Sequence, residues 1–551
     1  MQLCDLPAEI LTTVLRRSLR ARKSGWWLEL NLPLVAICRR LRYIALPIVY
    51  KEAYVYAFDD DNTRRRGFNV DLSGGESGHS TPNNQEAHGR WRAVSNVDII
   101  ASMGYTDLVQ QVIINLEAGY GHAVGLWHTV GLLCDAASVW PAVKQLHISM
   151  GEQAVGSFIE YDDEDSDHAN GFAEHALALR AMLPNVCGLH FADIRRFPTP
   201  TLEDQLAQQY YQQLQMLHIN TRAEVPLNIS FPQVRDLYFN GDRSFPDCIP
   251  RVDVANLKRL ELFRVHPFHS WAAFGADNSG RMLEFSALTS LDVDFRSGNN
   301  IGSAPASQDV CSVRLGFPLL RIARITCPSG PCPVLASAVF PRSMGSLDIR
   351  VSAPVWQGIS HMELPVAQRL KLAILSTTAS DARLPLSFNR LLTNSHQCGE
   401  VILWAHHDPS AYLPSIAFTG LTGLVVGVPI SADMVLDIIG KLPRLVTLIA
   451  NRSTRDPIQA DIVTQGPGRR HPLEPLSTKL QTLSYGQDDT NQMLRANIKL
   501  YQYLLLKLPS LQSFGAGDHR EKKLKAFVKT HRKWYPHLAG VKLCRTHYRP
   551  L

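Results

Sequence analysis

The chain has 551 residues, of which 45% are hydrophobic and 19% charged, with a formal net charge of +6. That length exceeds what one compact core supports, and the composition is too apolar for global disorder, so several domains or an elongated repeat array are expected. The charge splits into +5 over residues 1–58, +8 over 518–551 and −7 between them, which disfavours a uniformly basic nucleic-acid binder.

At the N-terminus, MQLCDLPAEI carries Asp5 and Glu9 where a secretory leader has cations followed by an apolar stretch. The ten cysteines are scattered, so reduced thiols in the cytoplasm or nucleus are expected. Residues 3–15, LCDLPAEILTTVL, combine an acidic cap and Pro7 with apolar Ile10, Leu11, Val14 and Leu15 at helical spacing. A second apolar-basic stretch, LPLVAICRRLRYIALPIVY, fills 32–50. The LPAEIL opening followed by CRRLR resembles an F-box over about 50 residues, and IVYKEAYVY is similar to the strand joining an F-box to leucine-rich repeats in fungal proteins. RSLRARKSGWWLELN departs from the leucine-rich, acidic turn usual between the helices. The resemblance implies docking onto the Skp-type adaptor of a cullin–RING ubiquitin ligase. Its contact positions would be Leu6, Pro7, Ile10, Leu11, Leu34, Val35, Cys38 and Leu41. A helical pair that merely caps the first repeat is the other reading of the same residues.

Residues 59–90 are polar and rich in Gly, Ser and Asn, which predicts a disordered linker or long loop. Beyond them one phrase recurs: apolar, Pro, any, apolar, two variable positions, apolar, any, apolar. It reads WPAVKQLHI from Trp140, LPNVCGLHF from Leu183, FPQVRDLYF from Phe231 and LPVAQRLKL from Leu364. It returns as LPRLVTLIA from Leu442, LPSLQSFGA from Leu508 and YPHLAGVKL from Tyr535, with versions lacking Pro between. Anchors from Val112 to Val541, with Ala323 and Val401 weakly placed, recur every 29 residues or so, a leucine-rich-repeat period. The L-x-L alternation predicts a short strand with one buried face, and Pro marks the passage from helix to strand. Helices are expected at 169–183, 201–215, 431–442, 491–508 and 520–534, with insertions at 160–168 and 452–476. No run approaches the roughly 18 apolar residues of a membrane span, since 421–450 is cut by Asp433, Asp437 and Lys441.

Signals for chemistry are weak. Gly119, Gly121 and Gly125 have off-pattern spacing for a dinucleotide loop, and Tyr503 with Lys507 fits a helix face better than an oxidoreductase pair. Cys327 and Cys332, with Cys311 upstream, lack the second close pair of a zinc site. His406, His407 and Asp408 read as a polar loop. No catalytic residue, metal or cofactor is assigned. His147, His190 and His218 share the outward position after the anchor leucine in three successive repeats, predicting an imidazole row. The basic runs Arg64–Arg66 and Lys522–Lys525 read as solvated faces.

The expectation is therefore α/β: a helical F-box-like module at 1–50, a connecting strand and linker at 51–90, and a curved leucine-rich-repeat solenoid at 91–551 with parallel strands concave and helices convex. It would be a substrate-recognition subunit of a Skp–cullin–F-box ubiquitin ligase, without catalysis, cofactor, membrane or nucleic-acid partner. A scaffold solenoid is the alternative. The outward positions turn apolar at Ile402, Val425 and Ile449, with Trp404 beside Ile402, which marks either a protein-partner patch or a surface covered by 452–476 or the C-terminal tail, unless the register slips at Val401.

Overall fold

The structure is a computed structural model. It describes residues 7, 9–13, 44, 46–47, 50–59, 91–116, 122–137, 139–150, 167–194, 202–221, 229–241, 249–265, 271, 274–275, 281–295, 314–328, 332, 334–335, 338–352, 365–375, 400–405, 422–452, 475–486, 494–516, 521–533 and 535–545. The linker expected at 59–90 and the insertions at 160–168 and 452–476 fall almost wholly outside these residues. The chain forms two compact units, Met1–Gly275 and Ala276–Leu551.

In the first unit the main strands are β1 (Glu52–Asp59), β2 (Trp91–Ser95), β3 (Gln111–Leu116) and β4 (Gln145–Met150). They continue as β5 (Gly188–Ile194), β6 (Met216–Thr221), β7 (Asp236–Asn240) and β8 (Arg259–Val265). β1 pairs antiparallel with β2 and parallel with β3, and each strand from β3 to β8 is parallel to the next. Parallel neighbours need crossovers. Here these hold α1 (Val97–Ser102), α2 (His122–Ala136), α3 (Asp167–Met182) and α4 (Leu202–Tyr210), each packed on the next.

The second unit continues the plan with β9 (Ser290–Phe295), β10 (Ile322–Cys327), β11 (Ser343–Ser352), β12 (Val366–Leu375) and β13 (Glu400–Ala405). Then come β14 (Gly423–Ile430), β15 (Thr447–Arg452), β16 (Thr482–Gly486), β17 (Ser513–Ala516) and β18 (Lys542–Arg545), each parallel to its predecessor. Among the described residues its longer helices are α5 (Ala432–Lys441), α6 (Leu494–Lys507) and α7 (Glu521–His531). Ser431 caps α5, its hydroxyl accepting from Met434 N–H at 3.2 Å.

The recurrent phrase is a turn with two buried ends. Trp140, Leu183, Leu442 and Leu508 each accept a hydrogen bond from the N–H three residues on, at Val143, Val186, Leu445 and Leu511. Pro stands second in each, where its fixed φ suits the turn, and both apolar ends are buried. The strands are then joined at their entry. Lys144 O accepts from both Cys187 and Gly188 N–H, Cys187 O from Gln215 and Met216, Gln215 O from Arg235 and Asp236, and Arg235 O from Lys258 and Arg259. In the second unit Thr422, Val446 and Gln481 repeat this role. One carbonyl receiving two donors fixes each strand's start against the last. Anchors Leu146, Leu189, Leu217, Leu237 and Leu260 accordingly line up in one buried row.

Two anchor positions are corrected, and two local departures accompany them. Pro365 precedes the ten-residue strand β12 directly, without a turn. Tyr535-Pro536 opens a 3-10 turn over Pro536–Gly540, which delays the last strand, so Leu543 and not Val541 pairs with Phe514. Val401 aligns with Leu370, but on the other side Leu403 aligns with Leu424, a stagger of two residues at β13. Further short parallel strands lie between the main ones: Ser230–Phe231 pairs with Arg251–Val252, and Met282–Glu284, Arg314–Gly316 and Ala338–Val339 form a three-stranded ribbon.

Candidate functional site

Because strand side chains alternate, the residues flanking each buried anchor form rows across the outer face. In the first unit one row reads Ile113, His147, His190, His218, Tyr238 and Glu261. The rings of His147 and His190 lie 3.8 Å apart, those of His190 and His218 also 3.8 Å, and Tyr238 meets His218 edge-on at 3.6 Å. Burial pushes all three imidazoles below their ordinary range. His190 reaches about 3 with further lowering from His147 and His218, and His218 about 4 with lowering from His147 and Arg259. The three imidazoles are thus neutral at physiological pH. The next row holds Asn220 and Asn240, with Asn240 Nδ2 donating to Asn220 Oδ1 at 2.9 Å. Face-to-face imidazoles direct their nitrogens side by side and not toward a common point. Among the described residues no group of three or more His, Cys, Asp or Glu is disposed to hold a metal.

The corresponding row of the second unit is charged: Asp292, Arg324, Asp348 and Lys371, leading to Ile402. Arg324 bridges Asp292 at 3.1 Å and Asp348 at 3.6 Å. Arg350, one position further out, grips both Asp348 oxygens at 3.2 and 3.1 Å. Two guanidiniums supply hydrogen-bond and ion-pair partners to Asp348, which is only 6% exposed.

The stagger at β13 rearranges the expected apolar patch. Trp404, Val425 and Ile449 occupy one row, entered from Ala373, whereas Ile402 lies one pleat earlier beside Lys371 and Gly423. Ile402 Cγ1 comes within 2.9 Å of where a Cβ on Gly423 would stand, so the missing side chain makes room for it. Ile402 and Ile449 are partly exposed, but Val425 is buried at 6%. Val425 is therefore a covered residue; the Trp404 side chain lies outside the described part.

Of the adaptor-contact positions, Pro7, Ile10 and Leu11 are described. Residues 9–13 are helical, with Leu11 N–H donating to Pro7 O at 3.0 Å. Ile10 is 48% exposed, whereas Leu11 is buried at 1% and packs inside the chain. Leu6, Leu34, Val35, Cys38 and Leu41 lie outside the described residues, as do Gly119, Gly121, Cys311, His406, His407 and Asp408. The Tyr503 and Lys507 pair is a helical contact on α6, with Lys507 Nζ 5.8 Å from the ring centre. Cys327 and Cys332 are both buried and hydrogen-bond each other, and burial with that neighbour raises the Cys332 thiol. Sequence reasoning did not find Arg350, nor the Trp404–Val425–Ile449 alignment, because both depend on register between strands far apart in the chain. Among the described residues no helix is long and apolar enough to cross a membrane. The chain matches no protein-family model and no curated protein sequence.

Proposed function

We propose that the chain is a non-catalytic substrate-recognition subunit of a Skp–cullin–F-box ubiquitin ligase, working in the cytoplasm or nucleus. In this reading residues 1–50 form a helical F-box-like module and 51–90 a connecting strand and linker. Residues 91–551 form an irregular, curved leucine-rich-repeat array with strands concave and helices convex. The observation that carries it is the alignment of outward side chains in register from strand to strand. The first unit offers a neutral polar stretch and the second a charged and an apolar stretch, the chemistry of protein recognition. The LPAEIL segment supports the adaptor end, with Ile10 exposed on a helical turn. The target protein would meet the rows through Ile402, Trp404 and Ile449.

Burial of Leu11 supports a second reading, a scaffold whose first helix only caps the array. The two readings separate in one experiment. The full chain is mixed with purified Skp-type adaptor and captured, with Ile10→Asp as the variant. Co-capture by the wild type, lost in a variant of unchanged unfolding temperature, is the expected result. Failure of the folded wild type to bind adaptor overturns the ligase reading in favour of the scaffold. Leu11→Asp is unsuitable here, since a charge at a buried position tests folding and not docking.

A further inference from the structure

We infer that Cys327 and Cys332 form a redox-modification site, a native dithiol that a small peroxide converts reversibly into an intramolecular disulfide. Cys327 is the last residue of β10 and pairs with Val351 of β11. Cys332 closes the segment CPSGPC that Cys327 opens. Neither is in a disulfide, they are buried at 0% and 2% exposure, and they hydrogen-bond each other. The Cys332 sulfur also takes part in hydrogen bonds with the backbone at Val334 and Leu335.

A lone buried cysteine packs as a small apolar residue and is inert. A second sulfur within hydrogen-bond range changes that, because the pair need close by only about 1–2 Å to reach bonding distance. The strand ladder holds Cys327, and the helical residues 334 and 335 stand just beyond Cys332, so both sulfurs start from fixed positions. Such a pair traps an oxidised sulfur by an intramolecular step before further oxidation reaches it.

Burial and the neighbouring sulfur push the Cys332 thiol up, so it keeps its proton and remains the donor to Cys327. The Cys327 sulfur gives its proton to water and attacks one oxygen of hydrogen peroxide. The O–O bond breaks, hydroxide leaves to become water, and Cys327 becomes a sulfenic acid. The Cys332 sulfur then attacks the Cys327 sulfur, the S–O bond breaks, and the departing hydroxide takes the Cys332 proton. Two thiols have lost two electrons, and one peroxide has become two waters. The backbone groups of Val334 and Leu335 stand at the sulfur that gives up its proton in this second step. Burial selects the oxidant, since covered sulfurs are reached by peroxide more readily than by a bulky disulfide. The inference does not depend on the adaptor reading.

The test uses the full chain, reduced, treated with hydrogen peroxide under native conditions, alkylated, digested with trypsin and mapped by mass spectrometry. The peptide 325–342 carries both cysteines and no other. It is expected to become lighter by two hydrogen atoms, escape alkylation, and recover with dithiothreitol. Glutathione disulfide at the same concentration should form the bond at least tenfold more slowly. C332A should leave Cys327 to proceed to sulfinic acid. Two alkylatable thiols in this peptide after other cysteines have oxidised would overturn the inference. So would a disulfide joining either residue to another cysteine, such as Cys311, in place of this pair. Equal rates with the two oxidants, or a bond that forms only in urea, would mean that the segment opens before it reacts, which overturns the native dithiol.

Discussion

His190 lies face to face with His218, ring centres 3.8 Å apart and planes 17° from parallel. Two imidazolium ions cannot share that spacing half-buried, so the native stack excludes protons that the unfolded chain accepts. With folded values of about 3 and 4 for His190 and His218, below the ordinary 6.5, stability is fully present above pH 6.5 and declines as pH falls toward the folded values. The window from 6.5 to about 5 precedes most carboxylate titration, so it isolates the histidines. Thermal unfolding of the full chain across that window is expected to show a falling midpoint. In H190N the fall should be shallower by up to one proton's worth. A midpoint independent of pH there would refute the neutral stack.

Asp348 is held by two arginines while almost wholly buried. Removing the carboxylate leaves Arg324 and Arg350 unpaired on that side, the more costly way to break such a contact. Asp348→Ala is expected to destabilise the second unit by about 1.5–3 kcal/mol in urea unfolding. Asp292→Ala should lose less, since Arg324 keeps Asp348 and is itself half exposed. Equal losses at the two positions would mean that burial of Asp348 plays no part.

Tyr210, at the C-terminal end of α4, aims its hydroxyl at the last turn of α3, with Leu179 O at 3.1 Å and Leu183 O at 3.2 Å. Both carbonyls also accept a backbone N–H, Leu179 O from Leu183 at 2.8 Å and Leu183 O from Val186 at 3.4 Å, so the phenol is a second donor to each. Burial raises the phenol well above its ordinary value, so it remains a donor throughout the usable pH range. Tyr210→Phe keeps the packing and deletes the donor, with an expected loss of about 1–2 kcal/mol. An unchanged denaturation midpoint would show that solvent supplies the missing bond.

Parallel strands were legible because the apolar-Pro-x-apolar phrase is a local turn. Trp140 and Val143, or Leu442 and Leu445, are buried a few residues from where the strand begins. The helices over Ala432–Lys441 and Glu521–His531 were legible from periodicity and, for the first, from Ser431 as cap. Non-local features were hidden. The stagger at Leu403 arises from pairing with two different neighbours, and the delay before Leu543 from a 3-10 turn that adds residues without changing the apolar pattern. Burial of Leu11 could not be read either, because a helix with apolar residues at both 10 and 11 does not say which one faces inward. The apolar patch was half legible. Its residue types stood in the sequence, but which of them share a row was set by the stagger.

That rearranged row gives the sharpest test of the partner site. Ile402 leans across Gly423 and is partly exposed, as is Ile449, while Val425, beside Ile449 in the same row, is covered. Substitutions at exposed and covered positions should therefore behave differently. Ile402→Ser and Ile449→Ser remove apolar surface without opening a core, and each should change stability by no more than about 0.5–1 kcal/mol. Val425→Ser places a hydroxyl at a buried site and should cost about 1–3 kcal/mol. Gly423→Ala would bring a methyl against Ile402 Cγ1 and force that side chain off its position. If the row receives a protein target, Ile402→Ser, Ile449→Ser and Gly423→Ala should each reduce capture of that target while the unfolding temperature stays near wild type. Stability and capture would be measured on the same preparations. A loss of capture only in variants that also unfold would remove the row from the recognition surface and leave it as packing.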